Sequence, residues 1–94
     1  MTIGDRIKKI RREFDLTQEA FASRIGSVQN TITGYESGRR NPSSPVISLI
    51  CKEFNVNEEW LRNGTGSMFE EMSKDQQLAE FVSKIFYDVL IFKI

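Results

Sequence analysis

Ile3, Ile7, Ile10 and Phe14 recur at steps of four, three and four, so one stripe of a helix is apolar while its other faces are charged. Thr2 can cap that helix, with Asp5 in its first turn. After "FDL", Thr17 is an N-cap for a second helix with Phe21 and Ile25 apolar, Ala20 and Ala22 small, and Gly26 as a left-handed stop. The next stretch, "IGSVQNTITGYESGRRNPS" (Ile25 to Ser43), breaks the pattern. A third helix over about Val28 to Ser37, stopped by Gly38, offers only Val28, Ile32 and Tyr35 as apolar positions. Gln29, Asn30, Thr31 and Thr33 fill its other positions, with Arg39 and Arg40 just beyond, and that polar face is free to touch something.

Ser44 is the expected cap of a fourth helix with Pro45 at its first position, and Ile47, Ile50, Cys51 and Phe54 form its core face. Asn57 caps a short fifth helix, around which Val56 and Leu61 can form a hydrophobic staple, and Asn63-Gly64 ends it. Thr65 to Met72 reads as a connector anchored by Met68 and Phe69. A further amphipathic helix is predicted from near Ser73, with Leu78, Phe81, Val82, Ile85, Phe86 and Val89 apolar. The closing "VLIFKI" is apolar on many sides, which suits a covering partner or a fragment of something longer.

Ninety-four residues make one small domain plus a tail of a few turns, and 39% hydrophobic with 28% charged residues is a globular composition. No apolar run nears the ~18 residues of a membrane span and the N-terminus does not read as a signal peptide, so no membrane association and a cytoplasmic location are expected. One cysteine allows no internal disulfide, and histidine is absent, which removes the commonest general base and metal ligand. No cofactor, no metal and no enzymatic activity are therefore expected. The net charge is zero, but residues 1–45 hold eight bases against five acids, and residues 46–94 five against eight. The basic half contains the polar third helix.

Two short helices joined by a glycine turn, with Ala22 and Gly26 four apart and Ile32 able to pack between them, make a helix-turn-helix in which the second helix is presented outward. Amide side chains at its start can pair with adenine N6 and N7, and small hydroxyl or methyl groups can meet thymine. Three segments, "LTQEAFASRIG", "TITGYESGRRNPS" and "FNVNEEWLRNGTG", resemble the Cro/repressor-type (XRE-class) helix-turn-helix regulators of phages and bacteria, over roughly residues 3 to 66. The resemblance implies an all-α fold, a five-helix lambda-repressor-like DNA-binding domain over 1–66, with an additional C-terminal helix in 67–94. It implies base contacts from Val28, Gln29, Asn30 and Thr33, and phosphate contacts from Thr17, Gln18, Arg39 and Arg40. It also implies an ion pair between Arg11 and Glu36 that ties the first helix to the third. Three positions depart from the family pattern: Asp15 stands where glycine or asparagine is usual, Ser27 and Val28 are exchanged in order, and Gly34 replaces a longer polar residue in mid-helix.

The expected function is that of a sequence-specific regulator of transcription, a repressor, binding a double-stranded DNA operator. Leu78, Val82, Ile85 and Val89, at steps of four, three and four, either fold back on their own chain or form a seam with a second copy; the homodimer is favoured because two recognition helices then read two half-sites. An antitoxin-type autoregulator, with a protein partner seated on the C-terminal helix, is the alternative. A module for protein interaction alone would want an acidic or apolar face on the third helix, and this face is neither. Trp60 and Cys51 are expected in the core, the thiol inert, and "GTGS" at Gly64–Ser67 in a turn.

Overall fold

Four helices begin on a short polar side chain that accepts a hydrogen bond from an otherwise unpartnered amide of the first turn: Thr2, Thr17, Ser43 and Asn57. At Thr2 the bond is reciprocal, since the Asp5 carboxylate accepts from the Thr2 amide at 2.9 Å. The computed structural model describes residues 1–70. Within them lie α1 (Ile3–Glu13), α2 (Gln18–Arg24), α3 (Gln29–Ser37), α4 (Ser44–Phe54) and α5 (Glu58–Asn63). The C-terminal helix expected from near Ser73, with its Leu78, Val82, Ile85 and Val89 seam, lies outside the described residues. No helix among those described is long and apolar enough to cross a membrane.

Helices α2 and α3 pack on each other, α1 packs on both α3 and α5, and α4 on α5. Ile7, Ile10, Phe21, Ile32, Ile50 and Leu61 are fully buried at the centre, with Val56 and Leu61 stapling the start of α5. Cys51 and Trp60 are also core residues. Burial pushes the Cys51 thiol up to about 11, so the thiolate is scarce at neutral pH.

Two local details differ from the sequence expectation. Helix α4 is capped by Ser43 rather than Ser44: the Ser43 hydroxyl accepts from the Val46 amide, and the Ser44 hydroxyl, one residue on, accepts from Arg62 Nη2 at 2.8 Å. Phe14 is not a core residue of the α1 stripe. It follows the helix as its C-cap, is 40% exposed, and packs with its ring 5.0 Å from that of Phe54, tilted, and 5.8 Å from that of Phe69, edge-on. Gly26 is required for its φ of 65°, not for space, since a Cβ there would meet nothing within 4 Å. Asp15 adopts the left-handed conformation, at φ 54°, that the α1–α2 turn demands.

The chain after α5 returns to the core: the Asn57 amide donates to the Met68 carbonyl at 2.9 Å and the Glu70 amide to the Asn55 carbonyl at 3.0 Å, with Met68 and Phe69 packed beneath. Arg6 joins α1 to the end of α5. Only 7% exposed, it donates from Nε to the Leu61 carbonyl (2.8 Å), from Nη2 to the Arg62 carbonyl (3.0 Å) and from Nη1 to the Met1 carbonyl (2.8 Å). Its guanidinium thus caps the C-terminus of α5, where carbonyls lack helical partners and the helix dipole favours a cation.

Helix α1 meets α3 at Gly4, where a Cβ would overlap the Tyr35 carbonyl oxygen and approach that of Glu36. Gly4→Ala should gain up to ~1 kcal/mol of helix propensity yet lose more by overpacking against rigid backbone, for a net loss of about 2 kcal/mol. Thermal unfolding followed by circular dichroism should show a midpoint lower by roughly 10 °C. An unchanged or raised midpoint would mean that α1 and α3 can part freely.

Candidate nucleic-acid interface

The turn between α2 and α3 is set by backbone bonds. The Ser27 amide reaches the Ala22 carbonyl (2.8 Å) and the Gly26 amide that of Ser23 (3.3 Å), a Schellman closure of α2 around the left-handed glycine. Val28 then takes the N-cap position of α3 in an extended conformation with no side-chain cap, so the helix starts at Gln29. The exchanged order of Ser27 and Val28 accounts for this, because valine has no oxygen to offer the first turn.

Helix α3 is oriented by polar side chains as well as by Ile32 and Tyr35. Arg11 grips Glu36 with two parallel bonds, Nε to Oε2 at 2.8 Å and Nη2 to Oε1 at 3.0 Å, while its Nη1 donates to the Leu16 carbonyl at 2.9 Å. The Glu36 side chain is only 5% exposed, so this pair is screened little by water. Gln18, the first residue of α2, extends the network: Nε2 donates to Glu36 Oε1 at 3.3 Å, and Oε1 accepts from the Thr33 hydroxyl at 2.8 Å. A carboxylate can only accept, so the amide orientation of Gln18 is forced.

The proposed base-reading positions gather on one side of α3. Val28, Gln29 and Asn30 are exposed, and no side-chain hydrogen bond engages Gln29 or Asn30 among the described residues. Thr33 lies on the same side but is half-buried, its hydroxyl also 3.0 Å from the Gln29 carbonyl. Of the expected phosphate ligands, Thr17 accepts from the Ala20 amide as a cap and keeps its own hydroxyl proton to donate. Gln18 is half-buried and already doubly engaged, with one amide proton left over. Arg39 is exposed just past Gly38. Arg40 does not project from the loop. Its amide donates to the Gly34 carbonyl at 3.1 Å, and its side chain lies over Gly34 with Nη1 3.5 Å from Thr31 Oγ1.

Sequence reasoning did not assign Glu19, Ser23 or Ser27 to the interface; with Val28 and Gln29 they line a shallow cleft between α2 and the start of α3. The available signal was the four-residue step from Glu19 to Ser23, which puts both on one face of α2.

A family model described as "Helix-turn-helix" matches residues 7–61. Among relatives, the antitoxin PezA of Streptococcus pneumoniae is 43% identical over 54 residues, which cover 57% of this chain and 34% of the antitoxin. An HTH-type transcriptional regulator of Archaeoglobus fulgidus, itself uncharacterised, is 41% identical over 54 residues, 57% of this chain and 76% of that protein. The described chain also superposes on the P22 c2 repressor, solved in complex with the synthetic operator 9T, with a TM-score of 0.64 over 69% of this chain and 98% of that one. At 20% identity that likeness establishes the fold.

Removing one partner of a well-shielded ion pair strands the other, so Glu36→Ala should cost about 3 kcal/mol. Arg11→Ala should cost a similar amount, and the double variant much less than the sum, with a coupling of about 1–3 kcal/mol in denaturant titrations. Additive losses would show that the two side chains act independently.

Proposed function

This chain belongs to the helix-turn-helix family, and from that premise we propose that it is a sequence-specific, double-stranded DNA-binding regulator of transcription, a repressor that reads the major groove with α3. The observation that carries this reading is the state of Gln29 and Asn30. Both are exposed at the start of a helix whose orientation is held by Arg11 and Glu36, and among the described residues neither side chain makes a hydrogen bond. Paired donors and acceptors in that position match the major-groove edge of adenine. Val28 and the Thr33 methyl add apolar surface for thymine. Thr17, Gln18 and Arg39 supply phosphate contacts on either side, which set position and confer salt dependence. Repression follows from occupying a promoter. The likeness to a repressor fold solved on an operator supports the geometry.

Two copies joined through Leu78, Val82, Ile85 and Val89 would present two α3 helices about 34 Å apart, to half-sites one turn of DNA from each other. A second reading, an antitoxin-type autoregulator with a protein partner on the C-terminal segment, is favoured by the 43% identity to the pneumococcal antitoxin. The chain spans only 34% of that relative's length, so its partner does not carry over with the match. Both readings use the same DNA-binding surface.

Selection of bound duplexes from a random pool at about 0.15 M salt should enrich a two-fold symmetric site with half-sites roughly one helical turn apart. On that site Gln29→Ala should cost about 1–3 kcal/mol while sparing non-specific binding. Arg39→Ala should weaken all sequences evenly and flatten the salt slope by about one unit. A pool with no enrichment would refute the regulator reading, and an even loss from Gln29→Ala would remove α3 as the reader.

A further inference from the structure

Glycine is a poor residue for the middle of a helix, yet Gly34 sits one turn beyond Asn30 on the helix proposed to enter the groove. Its φ is helical, so backbone freedom does not explain it. Space does. A Cβ at Gly34 would come within 2.8 Å of Arg40 Cδ and 3.0 Å of Arg40 Cγ, so the missing side chain makes a notch in which the arginine stem is seated. The Arg40 amide, bonded to the Gly34 carbonyl at 3.1 Å, fixes where that stem begins. From there it runs back along α3, and its tip reaches Thr31, next to Asn30. The 3.5 Å approach to Thr31 Oγ1 is too long to satisfy a guanidinium donor, and no carboxylate pairs with Arg40 among the described residues. An exposed fork of donors, its stem placed by the notch and without a carboxylate partner among the described residues, therefore stands beside the residues aimed at base edges.

We propose that Arg40, seated in the Gly34 notch, is a specificity-determining residue that reads a guanine in each half-site through its O6 and N7, and is not a contact to the DNA backbone. Arginine is the side chain whose planar donors match that edge bidentately. Seating the stem removes much of the rotamer freedom that a long side chain otherwise loses on binding. A backbone contact needs no such seat. Arg39, its exposed neighbour, already offers a charge to the phosphates. The helix gives up a reading side chain of its own at position 34 and borrows one from the loop.

The proposal rests on the DNA-binding reading, and its test separates the two. The wild type, Arg40→Ala and Gly34→Ala are each taken through selection from a random duplex pool, then titrated on the wild-type site and on its single-base variants. The wild type should prefer G·C at one position per half-site, and Arg40→Ala should lose roughly 5- to 150-fold of that preference while leaving the other positions unchanged. Gly34→Ala keeps the charge but fills the notch, and should lose preference at the same base pair without lowering the thermal midpoint, since alanine favours the helix. Even weakening in Arg40→Ala, with every preference intact, would overturn the base contact and leave the regulator reading standing. Loss in Arg40→Ala alone, with Gly34→Ala unaltered, would overturn the role of the notch. A wild type with no preference at any position would overturn both.

Discussion

The bidentate contact between Arg11 and Glu36 is the constraint from which the presentation of α3 follows. Nine residues are too few for a helix to persist by itself in water, and α3 buries only Ile32, Tyr35 and the backbone at Gly34. An apolar seam that narrow would let the helix roll. Two parallel hydrogen bonds from a planar guanidinium fix rotation as well as distance, and Gln18 and Thr33 extend the same restraint to α2. A helix offering a polar face to a ligand is thereby held by polar atoms on its flank.

Helix α1 is the hub of this arrangement, and it makes its two junctions by opposite means. Against α3 it removes a side chain, at Gly4, so that backbones nearly touch. Against α5 it inserts a long one, Arg6, whose charge is balanced by carbonyls at a helix end and, among the described residues, by no acid. Both junctions lie near the start of α1, while Arg11 acts near its end, so α3 is gripped at two points along one rod. The strap from Val56 to Glu70 and the aromatic contacts among Phe14, Phe54 and Phe69 close the side of the domain at the end of α1.

What was legible in the sequence is what depends on local chemistry. The caps at Thr2, Thr17 and Asn57, the glycine stops at Gly26, Gly38 and Gly64, and the stripes of α1 and α4 each follow from a few neighbouring residues. The features that escaped it need two distant segments at once. Arg6 looks like one more charge on a charged helix, although its place three after Ile3 and four before Ile10 puts it on the buried stripe. Gly4 draws no notice in the sequence, and Gly34 stands out only as a departure from the family pattern, until Tyr35 and Arg40 are brought beside them. Gln18 is expected as a phosphate contact, and nothing local in the sequence shows that its amide also bonds Glu36 and Thr33 within the domain. Ser43 and Ser44 are chemically equivalent caps, so residue type alone does not choose between them.

That Gln29 and Asn30 are exposed, with no side-chain hydrogen bond among the described residues, also bears on how such a domain can diverge. Exposed side chains with no partner can be exchanged singly at little cost in stability, usually within about 0.5 kcal/mol. Arg11, Gln18, Thr33 and Glu36 share one set of hydrogen bonds, so a change at any of them is felt by the others and tolerated chiefly in combination. Mutation can therefore explore the outer face of α3 freely while the mounting behind it stays put, and new binding preferences are reached without passing through unfolded intermediates in evolution.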